Sequence, residues 1–182
     1  MEADYLLIKR MKQGDEGAFD QFIHKYYQDI LNYCSYHCGN NEDAEDLTQE
    51  TFVNFFSRLS DYQFRGKSKN YLYTISSNLC KNYYKKKKDI PIESFQLENI
   101  KSDKDENLKI DNKMFIEWAL RKLSEEYKEV IILYYFEELK LKDIAKILNI
   151  GLPLVKYRLR QAKMQLKELL EKEDRNENRR SN

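Results

Sequence analysis

A set of hydrogen-bonding side chains follows Pro153 in the C-terminal part of the chain. Cationic, amide and phenol groups of this kind bind phosphate oxygens and the edges of bases. The set consists of Lys156, Tyr157, Arg158, Arg160, Gln161 and Lys163. Arg160 suits guanine and Gln161 suits adenine, because each side chain can make two parallel hydrogen bonds to that base. The pattern therefore predicts a helix that reads the major groove of DNA.

An apolar stripe predicts the helix that positions these groups. It has the three- and four-residue spacing of a buried helical face and consists of Val155, Leu159, Ala162, Leu166 and Leu169. A shorter periodic segment, 141–148, precedes it. We expect Gly151 to supply the backbone conformation that closes the first helix, and Pro153 to lie in the first turn of the second. This is the pattern of a helix-turn-helix, although an amphipathic hairpin with a solvated basic face would share it.

A second set of candidate contacts lies earlier, where aromatic residues and lysines alternate. Aromatic rings stack on unpaired bases, and lysines follow the phosphates of a single strand. The candidates on this helix are Tyr71, Asn78, Lys81, Asn82 and Lys85. We expect Leu72, Ile75 and Leu79 to pack inward on the same helix. The four consecutive lysines at 85–88 are equally typical of a solvated helix end.

The composition predicts an all-α protein with two small helical domains joined by a flexible acidic linker. The 182 residues include only five Gly and two Pro, and no long run of strict apolar alternation indicates a sheet. The segment 89–112 holds three basic and seven acidic residues without sustained periodicity, whereas 113–171 holds twelve basic and nine acidic ones. We therefore predict an N-terminal domain at 1–88, a linker at 89–112, a helix-turn-helix domain at 113–171 and a charged, frayed tail at 172–182.

Within these domains, apolar periodicity and turn residues predict consecutive helices. In the N-terminal domain they span 4–13, ending at Gly14, then about 16–36, 42–59 and 70–86. In the C-terminal domain a helix begins near 113, and another runs over 127–136. Ser124 precedes two glutamates there, which predicts that it caps the N-terminus of the second of these helices.

Composition also argues against several classes of protein. The chain has no run of about 20 apolar residues and no basic-then-apolar N-terminus, so we expect a cytoplasmic protein without a membrane span. No nucleotide-binding glycine loop or zinc-protease motif occurs, so we expect no catalytic residue and no cofactor. Cys34, His37 and Cys38 have the spacing of a partial metal site, but they lack a fourth ligand, and we expect them to pack in the core instead.

Two separated segments resemble one family, the extracytoplasmic-function sigma factors of bacterial RNA polymerase. The segment 43–52, DAEDLTQETF, resembles the polymerase-binding helix of that family. FRGKS at 64–68 and YLYTISSNL at 71–79 follow at the expected distance and resemble its promoter-melting region. LSEEYKEV at 123–130 and the helix-turn-helix around Asp143-Ile144-Ala145 resemble its promoter-recognition domain. These segments occur in the order and at the spacing typical of the family, and the resemblance covers nearly the whole chain.

The resemblance implies a subunit that carries RNA polymerase core to promoter DNA and helps to melt it. The C-terminal domain would recognise the minus-thirty-five element, and the N-terminal domain would bind core and capture the minus-ten element. The resemblance also implies that the loop before the melting helix helps to capture a base flipped from the minus-ten element, which adds Phe64, Lys67, Ser68 and Lys69 to the candidate contacts. The implied polymerase contacts are Asp43, Asp46, Leu47, Gln49 and Glu50, of which Asp46, Gln49 and Glu50 share one helix face. An anti-sigma protein is a further implied partner.

Some residues depart from the family pattern. Tyr71 stands where a tryptophan is usual, and Pro153-Leu154 replaces a Gly-Thr pair before the recognition helix. Tyr157 and Gln161 are also uncommon at their positions. These differences leave the identity of the recognised bases open. Two other functions share part of the pattern: a free-standing helix-turn-helix regulator of transcription, and an adaptor that binds only proteins.

Overall fold

The structure is a computed structural model that describes residues 2–64, 66–88 and 116–180, with side chains over 4–64, 66–86 and 116–172. Every regular element within these ranges is helical, which confirms the all-α prediction. The chain divides into two compact units. The predicted linker at 89–112 and the predicted helix start at 113 lie outside the described residues.

The N-terminal unit consists of four consecutive helices. They are α1 (Glu2–Lys12), α2 (Glu16–His37), α3 (Asn41–Ser57) and α4 (Ser68–Lys88). Each helix end agrees with its predicted position to within two residues. The sequence periodicity was therefore a sufficient guide to the bounds of this unit.

Local chemistry explains why these helices end where they do. Gly14 has a φ of +83°, and the N–H of Asp15 bonds to the carbonyl of Arg10 at 3.2 Å, which closes α1 as predicted. The side chain of Asp15 then caps α2 by accepting from the N–H of Ala18 at 3.3 Å. In the same way the side chain of Asn40 accepts from the N–H of Asp43 at 2.7 Å and caps α3. These caps satisfy amide groups that a helix leaves unpaired at its N-terminus.

Aromatic rings dominate the core of the N-terminal unit. Phe22 of α2 and Phe55 of α3 are fully buried, and their rings stack with centroids 4.7 Å apart. Tyr33 of α2 and Tyr73 of α4 are also fully buried, with centroids 5.3 Å apart. Burial of such large rings contributes most of the apolar stabilisation of a small domain. α2 therefore lies against both α3 and α4.

The C-terminal unit contains shorter helices and one long one. α5 is described over 116–122, α6 is Glu125–Ile131, α7 is Leu141–Ile147 and α8 is Leu152–Arg180. A π-helical turn, Ile132–Phe136, continues α6, and the N–H of Glu137 bonds to the carbonyl of Ile132 at 3.1 Å. α8 continues to Arg180 as a helix, so the prediction of a frayed tail from 172 is wrong over 172–180. Lys, Arg and Glu are good helix formers and support this extension without an apolar stripe.

The turn between α7 and α8 differs from the prediction in one residue. Asn149, not Gly151, adopts a left-handed conformation, with a φ of +52°. The N–H groups of Ile150 and Asn149 bond to the carbonyls of Ala145 and Lys146 at 3.0 and 3.3 Å, which completes a Schellman motif. The carbonyl of Gly151 instead accepts from Val155 at 3.1 Å and begins α8. Asparagine tolerates the left-handed region, so it can close a helix without glycine.

Ser124 lies at the predicted N-cap position before α6, but its side chain makes no capping hydrogen bond. Its carbonyl accepts from the N–H groups of Tyr127 and Lys128 at 3.0 and 2.9 Å. α6 therefore begins directly after Ser124, two residues before the predicted start at 127, through backbone hydrogen bonds, and the predicted contribution of the serine hydroxyl is wrong.

Candidate nucleic-acid interface

The predicted DNA-binding face of α8 is mostly open to solvent. Lys156, Arg160 and Lys163 are exposed, and Tyr157 has 53% of its surface exposed. Gln161 is half-buried on the same helix. On the opposite face Val155 and Ala162 are fully buried as the stripe predicted, whereas Leu159, Leu166 and Leu169 are half-buried. α8 thus combines a buried seam with an outer surface that carries three cations and a phenol.

Arg158 lies among these residues but has a partner within the protein. Its Nη2 lies 3.0 Å from Oε2 of Glu126 on α6, and only 14% of its side chain is exposed. A guanidinium held in this way is less available to DNA than its exposed neighbours. The ion pair attaches the first turns of α8 to α6, so Arg158 supports the orientation of the helix.

Tyr157 also has a neighbour on α6. The pKa of Tyr127 lies above the usual value because of desolvation first and of its interaction with the hydroxyl of Tyr157 second. Tyr157 nevertheless remains half exposed. The Arg158–Glu126 pair fixes the start of α8 against α6, and Tyr157 and Tyr127 occupy the adjacent positions of the two helices.

The outer face of α4 carries a narrow polar strip. Asn78, Lys81, Asn82 and Lys85 are all exposed, and their spacing of three, one and three residues places them on one helix face. Lys81 donates from Nζ to Oγ of Ser77 at 3.0 Å, which directs its stem along the helix. The strip combines amides with cations, a composition suited to the backbone and bases of a single strand.

The first turn of α4 is less accessible than the sequence predicted. Ser68 is fully buried, so its proposed contact with DNA does not fit the folded protein. Lys69 pairs with Asp29 of α2 at 2.8 Å. Tyr71 is half-buried, and its ring stacks on Tyr62 with centroids 5.0 Å apart. These three residues pack the start of α4 against other parts of the N-terminal unit, and this packing accounts for their burial.

The inward set on α4 agrees with expectation in part. Leu72 and Ile75 are buried as predicted, whereas Leu79 is half-buried. Tyr73, which had no predicted side, is fully buried, as is Ser76. Before the helix, Phe64 is half-buried and Lys67 is exposed, so these two residues are the accessible candidates of that segment.

α3 presents a continuous outer face. Asp46, Gln49 and Glu50 are exposed as the spacing predicted. Val53 joins them one turn later and has 64% of its surface exposed. The sequence interpretation missed this valine, although its position three residues after Glu50 and four after Gln49 would have placed it on the same face. An exposed apolar residue among charges is typical of a protein interface.

The remaining predicted polymerase contacts on α3 are used within the protein. Leu47 is buried in the core, so its side chain does not fit a direct contact with a partner. Asp43 is half-buried and accepts a hydrogen bond from the hydroxyl of Tyr83 on α4. It also accepts from Nδ2 of Asn40 at 3.0 Å. Asp43 therefore links the start of α3 to α4.

Cys34 and Cys80 are buried free thiols, and Cys38 is half-buried. A hydrogen bond from Cys80 lowers the pKa of Cys34 despite its burial. The carbonyl of His37 accepts from the hydroxyl of Tyr84. Among the described residues, no group of three or more His, Cys, Asp or Glu side chains is arranged to hold a metal ion.

None of the helices in the described ranges is both long enough and apolar enough to cross a membrane.

Two family models match the chain, one in each unit. Residues 22–90 match Sigma-70 region 2, and residues 116–166 match Sigma-70 region 4. The first match contains α3, α4 and the segment between them, and the second contains the helix-turn-helix. Both candidate nucleic-acid surfaces therefore lie in regions that the models cover.

Curated relatives match over nearly their full length. The ECF RNA polymerase sigma factor SigW of Bacillus subtilis is 30% identical over 176 residues, covering 90% of this chain and 94% of the relative. The RNA polymerase sigma factor YlaC of the same organism is 28% identical, covering 89% of this chain and 96% of the relative. The RNA polymerase sigma-H factor of Pseudomonas aeruginosa is 27% identical to this chain.

Solved structures share the fold. CnrH, in complex with the cytosolic domain of CnrY, aligns with a TM-score of 0.73 and 21% identity, covering 93% of this chain and 97% of that chain. The sigma factor RpoE of Bartonella quintana, in complex with the anti-sigma factor NepR, aligns with a TM-score of 0.70 and 23% identity, covering 84% and 96%. The two family models and the match to SigW identify the chain as a member of the extracytoplasmic-function sigma factors, which direct RNA polymerase to specific promoters, and the solved structures show that it shares their fold.

Proposed function

We propose that the two units divide promoter binding between them. Residues 1–88 bind the polymerase core and capture the minus-ten element, and residues 113–171 recognise the minus-thirty-five element in duplex DNA. The predicted linker at 89–112 joins the two activities. The observation that carries this proposal is the presence of two different polar surfaces, the α4 strip and the α8 face, on two units that match different sigma regions.

On α8, the exposed cations and Tyr157 are the proposed contacts with the minus-thirty-five element. Lys156 and Lys163 would bind phosphates, and Arg160 would bind a base edge in the major groove. Arg158 acts from behind, since its ion pair with Glu126 holds the start of α8 in place. We therefore propose that Arg158 positions α8 for binding and does not itself contact DNA.

On α4, the strip Asn78, Lys81, Asn82 and Lys85 is the proposed track for the unpaired strand. Phe64 and Lys67, the accessible residues before the helix, are proposed as further contacts with that strand. Aromatic stacking on an extruded base and cation contacts with phosphates are the two interactions that single-strand binding needs. The buried Ser68 and the paired Lys69 are left out of this surface.

On α3, the proposed polymerase contact combines Asp46, Gln49 and Glu50 with Val53. Charges around an apolar residue provide both steering and a desolvated contact. Leu47 and Asp43 support this face from within the protein.

We also propose that the protein acts in the cytoplasm, together with RNA polymerase, and that it performs no covalent chemistry. CnrH and RpoE are both solved in complex with a protein partner, the cytosolic domain of CnrY and the anti-sigma factor NepR. We propose that an anti-sigma protein likewise regulates this chain.

Run-off transcription with purified core polymerase on genomic fragments tests the function as a whole. We expect discrete transcripts only when core and this protein are both present. Gel shifts on the fragments that respond should show binding that depends on core. Tight binding by the protein alone, with no core-dependent transcript, would instead identify a free-standing regulator.

A pair of α8 variants tests the recognition surface. Arg160→Ala should lower transcription from the responsive promoter, since one base contact contributes about 1 to 3 kcal/mol of discrimination. Lys167→Ala is the matched control, because Lys167 is exposed on the same helix and pairs only loosely with Glu171 at 3.7 Å. Equal activity of both variants, with unchanged circular dichroism, would remove α8 from promoter recognition and favour a protein-only adaptor.

A pair of α3 variants tests the polymerase surface. Val53→Asp should weaken binding to core, measured by fluorescence anisotropy of labelled protein, because it places a charge in the apolar part of the face. Val53→Ile keeps the side chain apolar and should bind core as the wild type does. Unchanged affinity of Val53→Asp would place the polymerase contact elsewhere.

A further inference from the structure

α1 contacts a segment of chain that lies far from it in sequence. The side chain of Lys12 donates from Nζ to the carbonyl of Ser60 at 3.0 Å and to the carbonyl of Tyr62 at 2.9 Å, across separations of 48 and 50 residues. Both acceptors belong to the segment 58–64 that follows α3. One ammonium group therefore bridges two backbone carbonyls of the turn that leads to Phe64.

The chemistry of these acceptors favours a lysine. The carbonyls of Ser60 and Tyr62 lie beyond the end of α3 at Ser57, so no hydrogen bond of a helix uses them, and each is a strong acceptor. An ammonium offers three donors that rotate to suit their acceptors. The N–H of Tyr62 bonds to the carbonyl of Arg58 at 3.0 Å, so the segment forms a defined turn that Lys12 holds from outside.

The other end of α1 is fixed by a buried polar network. The carboxylate of Asp4 accepts from Nζ of Lys25 at 2.5 Å and from the hydroxyl of Tyr26 at 2.6 Å. Ser68, the first residue of α4, is fully buried beside Asp4 and Tyr62. α1 is thus attached to α2 and lies next to the beginning of α4.

An aromatic contact completes the attachment. The ring of Tyr5 lies 6.1 Å from the ring of Phe64, centroid to centroid, and half of Tyr5 is exposed. α1 therefore contacts the turn of the segment 58–64 through Lys12 and contacts Phe64 through Tyr5, and its Asp4 lies beside the first residue of α4.

We propose that α1 positions the segment 58–64 for promoter opening, and that Lys12 is the positioning residue. Its bridge to the two carbonyls sets the path of the chain that presents Phe64 to an unpaired base. The inference rests on the proposed function of that segment, but the contact itself can be tested without DNA. None of the candidate DNA or polymerase contacts includes Lys12, which makes its effect separable from theirs.

Lys12→Met tests the inference in the full-length protein with core polymerase. Methionine keeps the length of the side chain and removes its donors. Opening of the responsive promoter, measured by permanganate reactivity of unpaired thymines, should fall roughly tenfold, because two hydrogen bonds from a charged donor are removed. The affinity for core should be unchanged. Lys12→Arg should restore most of the opening, and Lys9→Met, which alters an exposed lysine on the same helix, should have no effect.

Hydrogen exchange of the free protein provides a second measurement. Amides of 58–64 should exchange faster in Lys12→Met, whereas those of the buried part of α2 should not change. Unaltered exchange in 58–64, wild-type opening, or a parallel loss of core affinity would each overturn the inference. If the wild-type protein opened no promoter at all, the proposed function would fail, and the exchange experiment would still decide whether Lys12 holds the segment.

Discussion

The two candidate nucleic-acid helices use their surfaces differently. α4 lies among the other helices of its unit and buries Leu72, Tyr73, Ser76 and part of Tyr71, which leaves a narrow polar strip outside. α8 buries a seam that includes Val155 and Ala162, and leaves most of its remaining surface in solvent. A tyrosine or a lysine therefore has a different structural role on each helix. The number of neighbouring helices decides whether an aromatic residue stabilises the fold or remains available for binding.

The largest expected contrast is between two tyrosines. Tyr73→Ala should lower the free energy of unfolding by about 3 to 5 kcal/mol, because it empties a fully buried site in the core. Tyr157→Ala should change it by less than about 0.5 kcal/mol, since that ring is half exposed on α8. Urea denaturation followed by circular dichroism measures both. Similar losses for the two variants would erase the distinction between the helices.

The next contrast concerns the polar contacts that attach elements near each helix. Asp4→Asn should cost about 1.5 to 3 kcal/mol at neutral pH, because the buried carboxylate accepts hydrogen bonds from Lys25 and Tyr26. Glu126→Gln should cost about 0.5 kcal/mol, because 65% of the Glu126 side chain is exposed.

The pH dependence should identify the source of the larger effect. Burial raises the pKa of Asp4, but hydrogen bonds from Lys25 and Tyr26 outweigh it and leave the pKa below the usual value of 3.8. A lowered pKa in the folded state stabilises the protein above the unfolded value, and the contribution disappears as the pH falls through the folded value. The difference in the free energy of unfolding between wild type and Asp4→Asn should therefore reach its full value above about pH 5 and decrease below pH 3.8. A difference independent of pH would show that charge is not its cause.

Two arginines of α8 sharpen the comparison within one helix. Arg160→Ala should change the preference for one base pair by about 1 to 3 kcal/mol without affecting stability. Arg158→Ala should lower stability by about 0.5 to 1 kcal/mol and weaken binding to all promoter sequences alike, because it loosens the attachment of α8 to α6. A panel of single-base promoter variants separates the two outcomes. A change of base preference caused by Arg158→Ala would reassign Arg158 as a DNA contact.

The smallest effect is expected on the α4 strip. The double variant Lys81→Gln/Lys85→Gln should reduce the salt dependence of single-strand binding by the core complex. The log–log slope should fall by about 0.7 for each phosphate that a lysine no longer neutralises. Asn78→Ala should leave that slope unchanged while it lowers affinity at a particular base. A salt dependence that does not respond to the double variant would exclude the lysines as phosphate contacts.

Local sequence signals predicted the helices well, because caps, glycine turns and apolar periodicity all act over a few residues. They identified the end of α1 at Gly14 and the exposed residues Asp46, Gln49 and Glu50. They chose wrongly between Gly151 and Asn149, since both residue types tolerate the turn and the pattern does not rank them. They also could not assign Tyr73 to the core, because α4 has aromatic residues on several sides.

Contacts between distant residues were beyond the reach of the sequence. No periodicity connects Lys12 with the carbonyls of Ser60 and Tyr62, and a backbone acceptor leaves no side-chain signature. The pairing of Arg158 with Glu126 is hidden for a similar reason, because an arginine on a basic face resembles its neighbours until the partner helix is known. Val53 is a different case. Its helical spacing placed it on the exposed face of α3, but an apolar residue is ordinarily expected to be buried.

The π-helical turn at Ile132–Phe136 has a consequence for changes in chain length. An α-helix advances about 100° per residue, so the wider turn fixes the rotation of everything that follows it relative to everything before it. A π-helical turn holds one residue more than an α-helical turn, so deletion of one residue there would let it relax to α-helix and leave the chain on either side in nearly the same rotation. Glu126 precedes the turn and Arg158 follows it. A deletion between Glu126 and the π-helical turn would instead rotate Glu126 by about 100° away from Arg158, and would misdirect the proposed DNA-binding face although all its side chains are kept.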